Sequence, residues 1–155
     1  MTNHGSSEFF KVLSEIDPAG ISGGASDEEI SATERLLGVQ VYGSYRVFLA
    51  TVGSYFSPGE IYGIEPGTIP VDNSVARLTI SERRDVEPPM RHSLVPFYAD
   101  GFGNHFCIDT GHVDDGEPPV VFWNHERSET QECPPVFRSF EDWFNLYFVP
   151  DITSE

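Results

Sequence analysis

Basic residues are scarce in this sequence. Lysine and arginine together number 9 against 25 aspartates and glutamates, so the formal net charge is −16. A surface of this sign repels a phosphate backbone, and we therefore expect no direct binding of nucleic acid. The same surface attracts a basic protein and raises the rate of their encounter.

Cysteines and long apolar runs are also scarce. The two cysteines, Cys107 and Cys133, are too few for a disulfide framework. No run approaches about 18 consecutive apolar residues, so we expect no transmembrane helix. Residues 1–11 lack a basic start followed by an apolar segment, which predicts no signal peptide. Together these absences predict a cytoplasmic protein with free thiols and no membrane contact.

The apolar content is sufficient for a core. Of the 155 residues, 39% are hydrophobic and 13% aromatic, and phenylalanine occurs 12 times. This composition excludes a disordered chain and a coiled coil. We predict a single domain over residues 1–155, with its core at about 26–148. The composition fits a monomer and a weak homodimer equally well.

Helix signals fill the first half of the chain. Ser6 or Ser7 could cap a helix that ends near Ile16. Ser26 and Glu29 have the spacing of a capping box, and Gly38 stands where that helix would end. A third helix is predicted over about 43–52, because its apolar residues have helical spacing: Tyr45, Phe48, Leu49 and Val52.

The middle of the chain is predicted to change period. Residues 54–56 and 60–62 flank Ser57-Pro58-Gly59, a pattern typical of a hairpin. Residues 65–73 are loop-like. A helix is then predicted from Asn73 or Ser74 to about Arg84, with an apolar stripe of Val75, Leu78 and Ile80.

The second half predicts a sheet and a closing helix. Strands are expected at 94–99, 104–109 and 119–124, joined by the turn 100–103 and an acidic loop at 110–118. Three strands with short links favour an antiparallel meander. Ser139 begins a last helix whose aromatic stripe must dock on the sheet, and the tail from Pro150 is expected to be frayed: the stripe is Phe140, Trp143, Phe144 and Tyr147. The fold class is therefore α+β, with N-terminal helices, a central antiparallel-rich sheet and a C-terminal helix packed on it.

The order of these motifs resembles the SUKH superfamily of Smi/Knr-like domains. Residues 34–38 (ERLLG), 45–49 (YRVFL) and Gly53 resemble its opening. Residues 94–97 (LVPF), 100–104 (DGFGN), 106–109 (FCID), 119–123 (PVVFW) and 125–126 (HE) resemble its strand region, and 139–144 (SFEDWF) its closing helix. The resemblance covers about residues 26–148. Val41-Tyr42 stand where the family usually has Leu-Pro, and Asn104 stands where it often has an acidic residue.

The resemblance implies a binding protein rather than an enzyme. Members are mostly bacterial immunity proteins that bind and neutralise a cognate toxin, often a nuclease, and a eukaryotic branch is linked to cell-wall regulation. The sequence is thus expected to encode an immunity protein that occludes a basic toxin and needs no cofactor. The alternative is a non-enzymatic regulatory or scaffold domain of the cell-wall-regulator type.

Catalytic alternatives rest on weaker patterns. One is a metal cluster of His105, Cys107, His112, His125 and Cys133, which lacks the paired spacing of structural zinc sites. A thiol pair of Cys107 and His125 has no local signal of an activated cysteine. Paired carboxylates at 100 and 109, or at 114 and 115, lack the alternating spacing of a calcium loop. Gly101-Phe102-Gly103 is read as a turn rather than a dinucleotide motif, and Glu34 as a carboxylate at the core edge, paired with Arg46.

The predicted partner surface combines an acidic band with exposed aromatic residues. Its acidic members are Asp100, Asp109, Asp114, Asp115, Glu117, Glu126, Glu129 and Glu132. These carboxylates are expected to steer a basic toxin. Its aromatic anchors are expected among Tyr55, Tyr62, Tyr98 and Phe102.

Overall fold

Four helices occupy the first half of the chain. In the computed structural model, which describes residues 4–57, 59–113 and 116–154 and side chains from Glu8 onward, these are α1 (His4–Ile16), α2 (Asp27–Leu37), α3 (Gly43–Thr51) and α4 (Ser74–Arg84). Single 3₁₀ turns at Pro18–Gly20 and Pro70–Asp72 lie in the connections. The predicted cap of α1 by Ser6 or Ser7 concerns side chains outside the described ones, and α1 begins earlier, at His4.

The predicted caps of α2 are confirmed. The Glu29 N–H donates to Ser26 Oγ at 3.1 Å, and the Ser26 N–H donates to Glu29 Oε1 at 2.9 Å. Gly38 adopts φ 70°, a left-handed conformation that glycine tolerates without a Cβ clash. These signals are read correctly from sequence because each one depends on residues a few positions apart.

The segment at 54–62 turns back without forming strands. Tyr55 and Ile61 exchange two backbone hydrogen bonds, at 3.1 and 2.8 Å. Beyond that isolated bridge, and another between Ile21 and Tyr55, the described part of the segment does not extend the ladder. The predicted hairpin is therefore reduced to one residue pair, and Pro58 of its turn lies outside the described residues.

Helix α4 buries a different face from the predicted one. Asn73 caps it, as predicted, by accepting from the Ala76 N–H at 2.8 Å. Of the predicted stripe only Val75 is buried, while Leu78 and Ile80 are half-buried. The buried face is Val75, Ala76, Thr79 and Glu82. Because two of these four residues are polar, the spacing of the apolar residues alone does not show which face of the helix is buried.

The sheet is the predicted antiparallel meander with one strand more. Its order is β1-β2-β3-β4, formed by β1 (Leu94–Ala99), β2 (His105–Asp109), β3 (Val120–Trp123) and β4 (Pro135–Phe137). The short β4 pairs antiparallel with β3. It is absent from the sequence prediction because three residues beginning with proline carry no strand period.

The closing helix extends beyond its predicted end. It consists of α5 (Phe140–Trp143), a π-helical turn (Phe144–Phe148) and α6 (Val149–Thr153), so the expectation of a frayed tail from Pro150 is wrong. In the π turn the Val149 N–H donates to Phe144 O, five residues back. That extra residue per turn moves Phe148 onto the buried face, while Tyr147 of the predicted stripe is half-buried.

Helices α1 and α3 and the closing helix pack on one face of the sheet, which we call the front face. Phe97, Phe106, Ile108 and Val120 from the strands join α1, α3 and the closing helix in the main core. On the opposite, back face, a smaller core is formed by Met90, Leu94, Cys107, Val121 and Trp123. Strands β1, β2 and β3 are therefore largely buried from both sides, whereas β4 at the edge is mostly exposed.

Candidate functional site

The meander divides the predicted acidic band between two ends of the sheet. The β1–β2 turn and the β3–β4 connection share one end, where His105 pairs with both Ala99 and Trp123. The β2–β3 connection lies at the other end. A five-residue strand such as β2 spans about 17 Å, so Asp100 lies far from Asp109 and Glu117. Glu132, farther along the β3–β4 connection, lines one cleft together with Asp109 and Glu117. Asp114 and Asp115 lie outside the described residues.

Asp100 holds the β1–β2 turn in a fixed shape. Its Oδ1 accepts from the backbone N–H groups of Phe102, at 2.8 Å, and Asn104, at 3.1 Å. Its Oδ2 accepts from Asn104 Nδ2 at 3.0 Å. Partial burial opposes the charge, but these hydrogen bonds outweigh it and lower the pKa of Asp100. The turn presents Phe102 at its tip with 80% of the residue exposed.

Asn104 joins this turn to the β3–β4 connection. Its Oδ1 accepts from the His125 backbone N–H at 3.0 Å and lies 2.8 Å from His125 Nδ1. The His125 ring packs against Gly103, where a Cβ would come within 2.8 Å of that ring. Asn104, which departs from the family pattern, thus serves to link two connections. We call Asp100, Phe102, Asn104, His125 and the exposed Glu126 the turn surface.

Glu129 lies farther along the β3–β4 connection. It is exposed and borders a shallow hollow with Pro89, Met90 and Arg91. Met90 belongs to the back-face core, so this part of the connection lies toward the back of the sheet.

Two predicted surface carboxylates hold the fold together at the opposite end. Asp109 is only 6% exposed, and it accepts from the Gly111 N–H at 3.0 Å. Glu117 is half-buried and accepts from the Ser44 backbone N–H at 2.8 Å and from Ser44 Oγ at 3.1 Å. Burial raises the pKa of Glu117, and the bonds from Ser44 partly offset that effect. The expectation that Asp109 belongs to an exposed acidic face is therefore wrong, while Glu117 keeps some exposed area and its part in partner binding stays a prediction.

Ser44 links three parts of the chain. Besides donating to Glu117, its Oγ accepts from the Glu141 backbone N–H at 2.9 Å, at the start of α5. Gly43, beside it, has φ 72°, and a Cβ there would lie 2.7 Å from the Glu117 carboxylate. Tyr42 precedes α3 without a side-chain cap, so Glu117 supplies the acceptor that the local sequence lacks.

The predicted aromatic anchors differ in exposure. Phe102 is exposed, whereas Tyr62 and Tyr98 are half-buried. Tyr55 is 0% exposed, with its ring 6.1 Å from that of Phe148, so its assignment as an exposed anchor is wrong. Sequence reasoning placed it in a surface hairpin, but its bridges to Ile21 and Ile61 draw it into the core.

The histidines and cysteines are dispersed. Cys107 is fully buried in the back-face core, where burial raises the pKa of its thiol well above the usual range. His125 is bound to Asn104 at the surface. Among residues 4–57, 59–113 and 116–154, no three histidine, cysteine, aspartate or glutamate side chains are grouped so that they could hold a metal ion.

A buried pair of ionisable residues escaped the sequence analysis. His105 Nδ1 lies 3.8 Å from Glu82 Oε1, and both residues are buried. Burial raises the pKa of Glu82 and lowers that of His105, so both are driven toward their neutral forms. The pair joins α4 to β2, a contact that no local sequence motif predicts.

A cleft of about 1080 Å³ runs beside β4. Its walls carry both signs of charge. The basic residues are Arg91 and Arg138, and the acidic residues are Asp109, Glu117, Glu132, Glu141 and Asp142. Cys133 also lines it, and burial raises the pKa of that thiol. The mixed charges distinguish this cleft from the acidic turn surface.

The fold and the turn surface together define an acidic α+β domain whose most exposed features belong to connections on a rigid sheet. Residues 24–146 match the model of the SMI1/KNR4 family (SUKH-1). The chain belongs to this family. No curated protein matches the sequence significantly. Within the described residues, no helix is long and apolar enough to cross a membrane.

Proposed function

We propose that this protein is an immunity protein that binds a basic protein toxin, of the nuclease type, and neutralises it by occlusion. Three observations support the proposal. The chain belongs to the SUKH-1 family, its net charge is −16, and its turn surface presents an exposed aromatic ring beside carboxylates. The exposed ring of Phe102 is the observation that supports placing the proposed binding site on the turn surface.

The turn surface has the properties of a binding anchor. Three hydrogen bonds to Asp100 and one from His125 to Asn104 fix the backbone on either side of Phe102. Because the backbone of the turn is already fixed, little backbone entropy is lost when a partner covers the Phe102 ring. Asp100 and Glu126 attract cationic groups to the same place, which favours rapid and specific association.

The mechanism requires only protein contacts. A nuclease presents a cationic channel to its substrate, and an acidic protein seated over that channel excludes the substrate by volume and charge. The proposed site of action is the cytoplasm, and no cofactor participates. The regulatory alternative uses the same surfaces for a housekeeping partner instead of a toxin.

The test begins with partners recovered from native cells. We would purify the tagged protein at low and at high salt and identify bound proteins by mass spectrometry. The proposal expects one dominant basic partner, lost at high salt, whose expression kills cells unless this protein is co-expressed. A reproducible set of metabolic or cell-wall proteins without toxicity would contradict it and favour the regulatory alternative.

Two variants test whether the turn surface is the binding site. Phe102→Ser should abolish protection in the co-expression assay. Ile69→Ser removes an exposed apolar residue of a different connection, 61% exposed, and should leave protection unchanged. Equal protection by both variants would show that the binding site does not lie on the turn surface.

A further inference from the structure

A row of aromatic rings crosses the front face of the sheet. Tyr98, Phe106 and Phe122 are direct cross-strand partners on β1, β2 and β3. The ring centroids of Tyr98 and Phe106 are 6.2 Å apart, and those of Phe106 and Phe122 are 5.2 Å apart. Phe137 of β4 pairs with Val120, beside the row, and its ring centroid is 6.2 Å from that of Phe106.

The closing helix covers only part of this row. Tyr147 packs on Phe106 at 4.9 Å and on Tyr98 at 6.0 Å. Phe106 is buried beneath it, while the other four rings keep exposed area. We call these five residues the aromatic patch: Tyr98, Phe106, Phe122, Phe137 and Tyr147. Neither the Tyr98 nor the Tyr147 hydroxyl forms a hydrogen bond within the described residues, so both remain available to a ligand.

The patch has an acidic border. After burial, the neighbouring charges of Asp151 and Asp100 raise the pKa of Tyr147, and the same two carboxylates act on Tyr98. Arg138 follows Phe137 in the chain, but its Nε lies 3.6 Å from Asp142 Oδ2 and its charge is thereby offset. Aromatic faces and carboxylates together create a negative potential over an apolar surface.

We propose that the aromatic patch binds an arginine side chain presented by the partner protein. A guanidinium group stacks on aromatic faces and is attracted by carboxylates, and it sheds water more readily than the ammonium of lysine. The charge of the border and of the whole chain favours a cation over any other occupant. That the partner is a toxin rests on the proposed function. Binding of an arginine side chain by the patch does not depend on it.

The direct test uses short peptides and the full chain. ¹⁵N-labelled protein is titrated at low salt with acetyl-Gly-Arg-Gly-amide and, separately, with acetyl-Gly-Lys-Gly-amide, while amide shifts are followed by NMR. The proposal expects saturable shifts confined to the aromatic patch and its border, with the arginine peptide binding at least threefold more tightly. Shifts spread over all acidic surfaces without preference for arginine would overturn it.

Conservative variants separate the rings from general charge. Phe122→Leu combined with Phe137→Leu keeps apolar volume but removes two aromatic faces, and should weaken arginine-peptide binding at least fivefold. Phe10→Leu changes a phenylalanine on α1 that is 48% exposed, and should leave binding unchanged. The same NMR spectra show whether each variant is folded. Equal binding by the double variant and the control would overturn the proposal.

The toxin assay distinguishes this proposal from the functional one. If a toxin is neutralised and the Phe122/Phe137 double variant binds it as tightly as the unmodified protein, the patch is refuted while the immunity function stands. If no toxin is found but the arginine peptide binds at the patch, the immunity function fails while the arginine site stands.

Discussion

Among single residues, Glu34 shows how one carboxylate can organise a connection. Its Oε2 accepts from the Val41 N–H at 2.7 Å and from Arg46 Nη1 at 3.1 Å. Arg46 in turn donates to the Val41 carbonyl at 3.3 Å. The predicted ion pair is thereby confirmed. The more important role of Glu34 is to accept a hydrogen bond from the backbone N–H of Val41, a buried residue between α2 and α3.

Replacing Glu34 with alanine should lower the free energy of unfolding by about 1–3 kcal/mol, because the Val41 N–H loses its acceptor. Glu34→Gln keeps an acceptor and should lose less, since an ion pair at the edge of the surface contributes about 1 kcal/mol or less. Urea denaturation measures both. Glu15→Ala, at an exposed position of α1, is the control. Equal losses for the alanine and glutamine variants would show that charge dominates.

His105 makes stability depend on pH. Its pKa is lowered by burial, so as pH falls through 6.5 the unfolded chain takes up a proton that the folded chain resists, and stability is lost. Glu82 acts in the opposite direction, because its raised pKa lets the folded state bind a proton more tightly. Asp100 favours the charged form of His105 and His125 opposes it.

When the pH is lowered from about 7.5 to about 5.5, the change in the free energy of unfolding should therefore be less favourable to the folded state for the unmodified protein than for His105→Gln. Urea denaturation at each pH gives this difference, and any constant destabilisation by the variant cancels. His92→Gln is the control, because His92 is exposed and its ring forms no hydrogen bond or ion pair with the described residues. An identical pH response in unmodified protein and His105→Gln would refute the assignment.

Among the elements, α1 completes a core that begins before the family match. The match starts at residue 24, yet Phe9 of α1 is 1% exposed. Its ring lies 6.0, 5.6 and 5.0 Å from those of Phe48, Phe140 and Phe144. The helix thus seals the contact between α3 and the closing helix.

Phe9→Ala should cost about 3–5 kcal/mol of unfolding free energy, because the cavity opens among aromatic rings that cannot collapse into it. Phe10→Ala, at the exposed neighbour, should change stability by about 0.5 kcal/mol or less. Guanidinium denaturation of both variants measures the difference. A small loss for Phe9→Ala would mean that α1 packs only loosely on the core.

Elements fixed by local signals were predicted well. The capping box of α2, the end at Gly38, the Asn73 cap of α4 and the first three strands follow from residues close in sequence. The errors arise where distant residues decide. The π turn that buries Phe148 and the burial of Glu82 against His105 depend on packing partners far along the chain.

The candidate site was predicted in part for the same reason. Phe102 is exposed and Glu126 is exposed, as a turn and a polar loop suggest. In sequence, Glu117 and Asp109 are acidic residues like Glu126. Contacts with Ser44 and with the backbone of Gly111, however, give them structural roles. The row of Tyr98, Phe106 and Phe122 becomes visible only once strand register is known.

For the whole molecule, the uneven distribution of charge should control association with a basic partner. Removing three exposed carboxylates of the β3–β4 connection, as Glu126→Gln, Glu129→Gln and Glu132→Gln, leaves the Asp100 turn intact. It should slow association with the toxin about threefold to tenfold at low salt and flatten its salt dependence. Stopped-flow measurements at two salt concentrations provide the rates.

The matched control removes the same charge elsewhere, as Glu8→Gln, Glu15→Gln and Glu28→Gln, three exposed positions on α1 and α2. If net charge alone steers the encounter, both triple variants will slow association equally. If position matters, only the variant of the β3–β4 connection will do so.

The hydrogen bonds of Ser44 have a consequence for synthesis of the protein. Its partners Glu117 and Glu141 stand 73 and 97 residues later in the chain. At a translation rate of about 5–20 residues per second, α3 leaves the ribosome roughly 4–15 s before the carboxylate that caps it. A nine-residue helix is marginal alone, so we expect α3 to become fully ordered only after Glu141 has been made.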